Sequence, residues 1–488
     1  MSADDYKLID EQVGLWGAVA LLVGTALGMS IFIVPTQMAA AAGPSITIAI
    51  LVSIVPMTLG VLLLLQLGGA IPVAGGIYVY GSRLVGPFWG MLGVSVPVLA
   101  VWSYLLFAAF GFADYLNGIL ESFGASVPSV AAVWGLLGLF LILNYVGVQI
   151  VTKVQIAFVL MLIVGMLAFV LSGIPHIDAA NYTPVFPAEQ GQPFADSFAP
   201  FLLAVVTLYI PFQGFGMIIE IGEELENPVE NIPRVLAIGM AIVTVLSIAI
   251  VFTLIGAIPI ENMTVSGQLG GEPVQGGLAA VGEGILPAPV LLVVGISALI
   301  AAATTVNTLF TSYSRTVMRA ARDEVLPDVF AKVHDDYNTP HRAVLLFGIP
   351  PLLAAPFRGP LEAITGPDVL DWLVVIVVTG IFIAFMIGGV ALWNLPKVFP
   401  QRYEYSFYKL PMPVLRVVAV GNVVVSLLFT LLVVQSAPSA FLVVLAWMVL
   451  SAGLYFYRIR AYEKKGVDLK ARMALLHKHE QVGGGSDD

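Results

Sequence analysis

Cysteine is absent from the 488 residues, which excludes disulfides, thiolate metal ligands and cysteine nucleophiles. Charge is scarce: 11% of residues are Asp, Glu, Lys or Arg, 59% are hydrophobic, and mean hydropathy is +0.96. A fold bathed in water cannot solvate such a surface. No basic stripe interrupts the apolar runs, so the net charge of −10 reflects acidic loops and ends and argues against a nucleic-acid partner. The start holds Asp4, Asp5, Asp10 and Glu11 against Lys7 and lacks the basic region, short apolar core and cleavage site of a signal peptide. No cleaved signal is expected. The five histidines, at 176, 334, 341, 477 and 479, have no metal-ligand spacing, so neither a metal site nor a metal-dependent enzyme is expected.

What is present is a series of apolar runs of about 20 residues, each long enough as a helix to cross a hydrocarbon core of about 30 Å. The runs are continuous rather than alternating, and too long for barrel strands, so internally hydrogen-bonded helices are the only low-cost solution in lipid. The predicted fold class is an all-α integral membrane protein of twelve transmembrane helices. Spans are placed at about 14–41, 46–70, 88–119, 130–148, 152–173, 197–222, 234–258, 288–314, 343–357, 370–394, 413–435 and 438–458. The ninth is short and carries Pro350 and Pro351. Residues 1–460 read as one transmembrane domain and 461–488 as a charged cytoplasmic tail ending in GGGSDD.

Lys and Arg collect on the cytoplasmic side of membrane spans. With both termini inside, the twelve-span layout leaves Arg358 as the only one of 21 Lys and Arg residues on the outside. The loops 174–196 and 259–287 hold none, whereas 315–342 holds Arg315, Arg319, Arg322, Lys332 and Arg342. The expected location is the cell (inner) membrane, multi-pass.

Two spans carry helix-weakening residues near mid-membrane. The first reads Gly24-Thr25-Ala26-Leu27-Gly28-Met29-Ser30-Ile31-Phe32 and the sixth Pro211-Phe212-Gln213-Gly214-Phe215-Gly216. Proline removes a helix hydrogen bond and each glycine costs about 1 kcal/mol against alanine, so both segments are candidates for unwinding. Small residues also serve tight helix packing. Their placement five spans apart is the spacing of an inverted repeat around a midplane site. Unwinding would free NH groups at a half-helix start for a carboxylate, and carbonyls for an ammonium group. A zwitterionic amino acid matches both without any charged side chain.

At these residues the chain resembles the amino acid, polyamine and organocation (APC) superfamily of permeases. The first-span signature is similar to Gly24-x-x-x-Gly28-x-Ser30-Ile31-Phe32, with Ser30 where glycine is commoner, and the loop Pro72–Tyr80 with Gly86–Gly90 also resembles the family pattern. Most specific is Glu223-Glu224-Leu225-Glu226-Asn227-Pro228-Val229-Glu230-Asn231-Ile232-Pro233-Arg234, which resembles the family's Glu-Glu-x-x-Asn-Pro-x-x-x-Ile-Pro-Arg. Arg315 and Ala321-Arg322-Asp323 resemble its loop after span eight, with Glu324 in place of glycine. The resemblance implies amino-acid transport and a five-plus-five inverted repeat, 14–173 and 197–394, with two extra helices at 413–458. It also implies that a substrate carboxylate meets the NH groups of Met29 and Ser30 at the Gly28 break. The ammonium would meet carbonyls near Thr25, Ala26, Ile210 and Gln213, and Phe212, Gln213, Gly214 and Phe215 would shape the pocket. Where some members carry an acidic residue after the Gly-Phe of span six, this chain has Gly216.

Glu223 and Glu224 fall at a helix C-terminus, where negative charge is unfavourable, so basic partners such as Arg234 or Arg315 are expected and the four form a candidate inner gate. One branch of the family uses a span-five lysine in place of a sodium ion; this chain has Leu162 there. Coupling through that lysine is disfavoured, and Thr304 and Thr305 of span eight are the candidate sodium ligands. Sodium, proton and uncoupled exchange all stay open, no cofactor is expected, and oligomeric state is not legible. Without a clear carboxylate near the breaks, neutral amino acids are favoured over cationic amino acids or polyamines. A channel, a membrane enzyme and a transporter-like nutrient sensor are the rival classes.

Single cysteines placed in this cysteine-free chain test the layout. A membrane-impermeant thiol reagent should reach residues in 259–287 from outside and residues in 315–342 from the cytoplasm; labelling of 259–287 from the cytoplasm alone overturns it.

Overall fold

A computed structural model describes residues 13–474 apart from 74, 148, 187–193, 221–224, 366–368 and 407. The described elements are helices, with no strand beyond two isolated bridges. In chain order they are α1 (Leu15–Leu27), α2 (Ser30–Ala42), α3 (Ile46–Ala70), the short α4 (Gly76–Tyr80), α5 (Pro87–Glu121), α6 (Ser129–Val146) and α7 (Gln149–Gly173). After α8 (Phe194–Thr207) a 3₁₀ segment, Ile210–Gly216, leads into α9 (Met217–Glu220). Then come α10 (Pro228–Ala257), the short α11 (Gly277–Val281), α12 (Ala288–Arg322), α13 (His341–Ala354), α14 (Arg358–Thr365) and α15 (Val369–Val398). The chain closes with α16 (Pro400–Glu404), α17 (Met412–Ser436), α18 (Pro438–Glu463) and α19 (Leu469–Ala474).

Among the described residues, 11 helical stretches are long and apolar enough to cross a membrane, and the protein is a multi-pass membrane protein. The first stretch, Leu15–Ala70, runs 56 residues and contains α1, α2 and α3; at about 1.5 Å per residue it can cross a core of about 30 Å twice. α3 coincides with the predicted second span. The predicted eighth span ends too early: α12 continues to Arg322. Its last turns carry Arg315 and Arg319, each 2% exposed, so these arginines end no helix; they are held inside the protein rather than in water. The ninth span tolerates Pro350 and Pro351 within α13, then passes through a 3₁₀ turn into α14.

α5, α12 and α15 form the interior, α15 packing on α5 and α17, and α12 on α7 and α5. α18 lies outermost, with Leu442, Val449, Leu450 and Tyr457 exposed. In water such a surface would demand a partner; lipid supplies one.

Two short helices begin alike. Gly75 and Gly76 precede and open α4 at φ 107° and 38°, and Gly276 and Gly277 do the same for α11 at 97° and 58°, angles that glycine adopts without steric cost. A Cβ on Gly277 would overlap the Phe32 carbonyl of α2, and one on Gly75 would lie 2.8 Å from Arg319 Cγ of α12.

Beside α4, the Arg83 guanidinium lies 2.6 Å from Asp323 with both side chains fully buried. Tyr78 donates a 2.6 Å hydrogen bond to the same carboxylate, and Arg319 stands 3.8 Å away. At the opposite end Arg358 of α14 bonds both oxygens of Asp114 on α5 at 2.8 and 3.1 Å, bonds Glu362 at 2.9 Å, and covers the Phe110 ring. Breaking a fully buried pair leaves an uncompensated charge. Asp323→Ala should therefore lower the thermal unfolding midpoint in detergent, with a cost of roughly 3–5 kcal/mol, and by more than Arg358→Ala does at its partly exposed pair. Equal midpoints for the two variants refute this.

Candidate functional site

The first predicted break exists. α1 ends at Leu27, Gly28 takes φ 37°, and α2 starts at Ser30. The Gly28 NH still closes on the Gly24 carbonyl at 3.1 Å, but the Met29 NH leaves the helix and donates to the Thr305 hydroxyl of α12 at 3.3 Å. Thr304 donates to the Gly24 carbonyl at 3.1 Å and to its own Ala301 carbonyl at 2.8 Å. The two threonines singled out in the sequence thus sit against the first-span backbone at its break. A Cβ on Gly28 would overlap Thr305 Oγ1 and lie 2.9 Å from the Thr25 carbonyl.

The second break takes a different form. Instead of unwinding, the chain rewinds as seven residues of 3₁₀ helix, Ile210–Gly216, longer than the usual three or four. The rise increases from about 1.5 to about 2.0 Å per residue, so the segment is stretched. It packs directly on α1. A Cβ on Gly214 would overlap the Ala26 backbone nitrogen and lie 2.6 Å from its Cα, so the two interruptions touch backbone to backbone because residue 214 has no side chain.

Beside this contact lies a cavity of about 80 Å³. Thr25, Gln213 and Gly214 line it; so do Tyr104 of α5, Thr308 of α12 and Phe385 of α15. No Asp, Glu, Lys or Arg lines it among the described residues. It runs from the breaks toward the end of the bundle that carries Gly76 and Thr316. Ala26, Met29, Ser30, Ile210, Phe212 and Phe215 are packed behind this wall rather than in it, each at most 1% exposed. Phe215 acts through the wall, its ring 5.7 Å from that of Phe385.

Of the four predicted inner-gate residues the structure describes two, Arg234 and Arg315. Arg234 pairs with Glu230 at 3.1 Å, about half exposed. Arg315 is buried and donates to the Thr311 carbonyl. Glu223 and Glu224 lie outside the described residues.

Several wall residues had no signal in the sequence. Tyr104 stands among apolar neighbours of α5 and Phe385 in the apolar run of α15, and only packing brings them to the breaks. Behind α12 a buried polar network also went unread: Asn144 bonds Asn307 at 2.9 Å and accepts from Thr311 at 2.7 Å, and Asn307 reaches Gln155 at 3.3 Å.

A bundle of membrane helices, two of them interrupted around an uncharged interior cavity, is the architecture of a membrane transporter. The amino acid permease family profile matches residues 13–455, and the chain belongs to that family. Its class is permease, not enzyme. The methylthioribose transporter of Bacillus subtilis is 26% identical over 430 residues, 85% of this chain and 87% of the relative. The branched-chain amino acid permease BcaP of the same species is 22% identical, covering 94% and 95%. The human large neutral amino acids transporter small subunit 2 is 27% identical, covering 71% and 64%.

Gly28→Leu and Gly214→Leu should each abolish transport in proteoliposomes while the protein still inserts, because their side chains need space already held by Thr305 or the Ala26 backbone. Gly69→Ala, where an added Cβ meets nothing within 4 Å, should transport as wild type. Wild-type rates in either leucine variant remove that glycine from the site.

Proposed function

We propose that this permease carries neutral zwitterionic amino acids across the cell membrane by alternating access. The observation that carries the reading is the backbone contact of two interrupted helices beside a cavity whose described wall bears no charge. Freed backbone dipoles complement a carboxylate and an ammonium group, and an uncharged wall disfavours an ionic side chain. The relatives named for branched-chain and large neutral amino acids support it.

The arrangement we infer is twelve crossings, with 14–173 and 197–394 as inverted repeats, 413–458 as two extra helices, and both termini cytoplasmic. Two pairs of elements support the repeat. The third span, α5, and the eighth, α12, each run 35 residues, and each follows a five-residue helix opened by a left-handed glycine pair. Under this layout the cavity opens toward the cytoplasm, an inward-facing state, and Arg358 with Asp114 lies at the outer end. Glu223 and Glu224 with Arg315 remain our proposed inner gate.

If a cation is coupled, we propose sodium, held by the hydroxyls of Thr304 and Thr305 and by first-span carbonyls. Both hydroxyls already touch that backbone, and a neutral oxygen set suits a hard cation.

Uptake of labelled neutral, cationic and acidic amino acids into proteoliposomes tests the reading, with sodium and pH gradients imposed separately. Neutral amino acids should enter, and Thr305→Ala should weaken sodium dependence before it weakens binding at saturating sodium. Uptake that follows only the pH gradient refutes sodium, and exchange indifferent to both makes the protein an uncoupled exchanger. Methylthioribose belongs in the panel, since the uncharged wall also suits a neutral polyol and one relative is named for it; its transport without that of amino acids overturns the zwitterion reading.

A further inference from the structure

The polar side chains of the cavity wall divide into two groups. The Thr25 hydroxyl donates to the Leu21 carbonyl at 2.8 Å, and that of Thr308 to the Thr304 carbonyl at 2.9 Å. Gln213 and Tyr104 differ: both amide atoms of Gln213 are buried without a hydrogen-bond partner, and the buried Tyr104 hydroxyl has Ser30 of α2 as its polar neighbour. Tyr104 is 6% exposed, and the two residues come from different elements, the 3₁₀ segment and α5, to border one cavity. A buried amide or hydroxyl left unpaired costs free energy, and native structures leave few such groups without a reason.

We propose that Gln213, with Tyr104, reads the side chain of the substrate and selects neutral amino acids bearing a hydroxyl or carboxamide over their aliphatic isosteres. The inference rests on the amino-acid reading above and names a substrate class within it. The backbone at the two breaks is assigned to the carboxylate and ammonium groups common to every amino acid, so it cannot discriminate. The Gln213 amide offers two donors and two acceptor lone pairs. A hydroxyl or carboxamide answers both kinds, whereas a methyl group in its place leaves them unpaired. Sites built to hydrogen-bond a substrate reject the isostere that lacks the group far more strongly than apolar pockets reject one methylene.

The test is competition between isosteric pairs in one liposome preparation, threonine against valine and asparagine against leucine, so that the ratio does not depend on how much protein is active. Wild type should prefer the polar member of each pair by about tenfold or more. Gln213→Met, similar in size but without the amide, should cut the ratio by about tenfold through loss of the polar substrate, and Tyr104→Phe should cut it by a smaller factor. A wild type that takes valine as readily as threonine overturns the proposal, as does a Gln213→Met protein that loses both substrates in parallel, which would place the amide on the common groups. Should Gln213→Met fail to fold, the wild-type ratio and Tyr104→Phe still decide. If no amino acid of either kind enters, the amino-acid reading itself fails, a result separate from uptake without polar preference.

Discussion

A helix cannot stop inside a bilayer unless other protein groups take over its backbone hydrogen bonds, and the rest of this structure follows from that constraint. Where α1 ends, the Met29 NH goes to Thr305, and Thr304 adds a second bond to the Gly24 carbonyl that still receives the Gly28 NH. Where α8 ends, the chain keeps itself bonded by changing helix type to 3₁₀. The two solutions then have to fit side by side, and they do because Gly214 presents bare backbone to Ala26. The cavity forms beside that seam, since a stretched 3₁₀ segment and an interrupted helix cannot pack on α5, α12 and α15 as closely as two intact helices.

The ends of the bundle are held differently from its middle. Among the described residues no charged side chain lines the cavity beside the breaks. At one end Arg83, Asp323 and Tyr78 form a buried ionic cluster linking α4 and its following turn to the end of α12; at the other, Arg358 clamps α14 to α5 through Asp114. Charge near the cavity would bias it toward ions and carry a heavy desolvation cost. Placed at the two ends, where α4 and α11 abut the long helices, the same charges can fix loops without entering the substrate path.

The sequence made the helical membrane class legible in full, because hydropathy over 20 residues leaves lipid no other option. It also made both interruptions legible, since Gly28 and the Pro211–Gly216 run weaken a helix wherever they stand. Thr304 and Thr305 were found for their oxygens in an apolar run. The form of the second break was not legible: proline and glycine say that an α-helix is disfavoured but not that a 3₁₀ helix replaces it. Nor was the length of α12, because the sequence reads an arginine as a helix end in water, whereas Arg315 and Arg319 are enclosed by protein.

By itself, then, the sequence determined the class of fold, the approximate spans, the positions of the two breaks and, through its motif after span six, the permease family. These depend on local energies that a residue carries with it: transfer to lipid, helix propensity, charge. Tertiary structure alone decided which side chains border the cavity, that Phe212 and Phe215 stand behind its wall, that Tyr104 joins Gln213, and that Asp323 belongs to Arg83. Those depend on which faces of distant helices meet, and a helix hydrophobic on every side carries no stripe in its sequence to say which face turns inward.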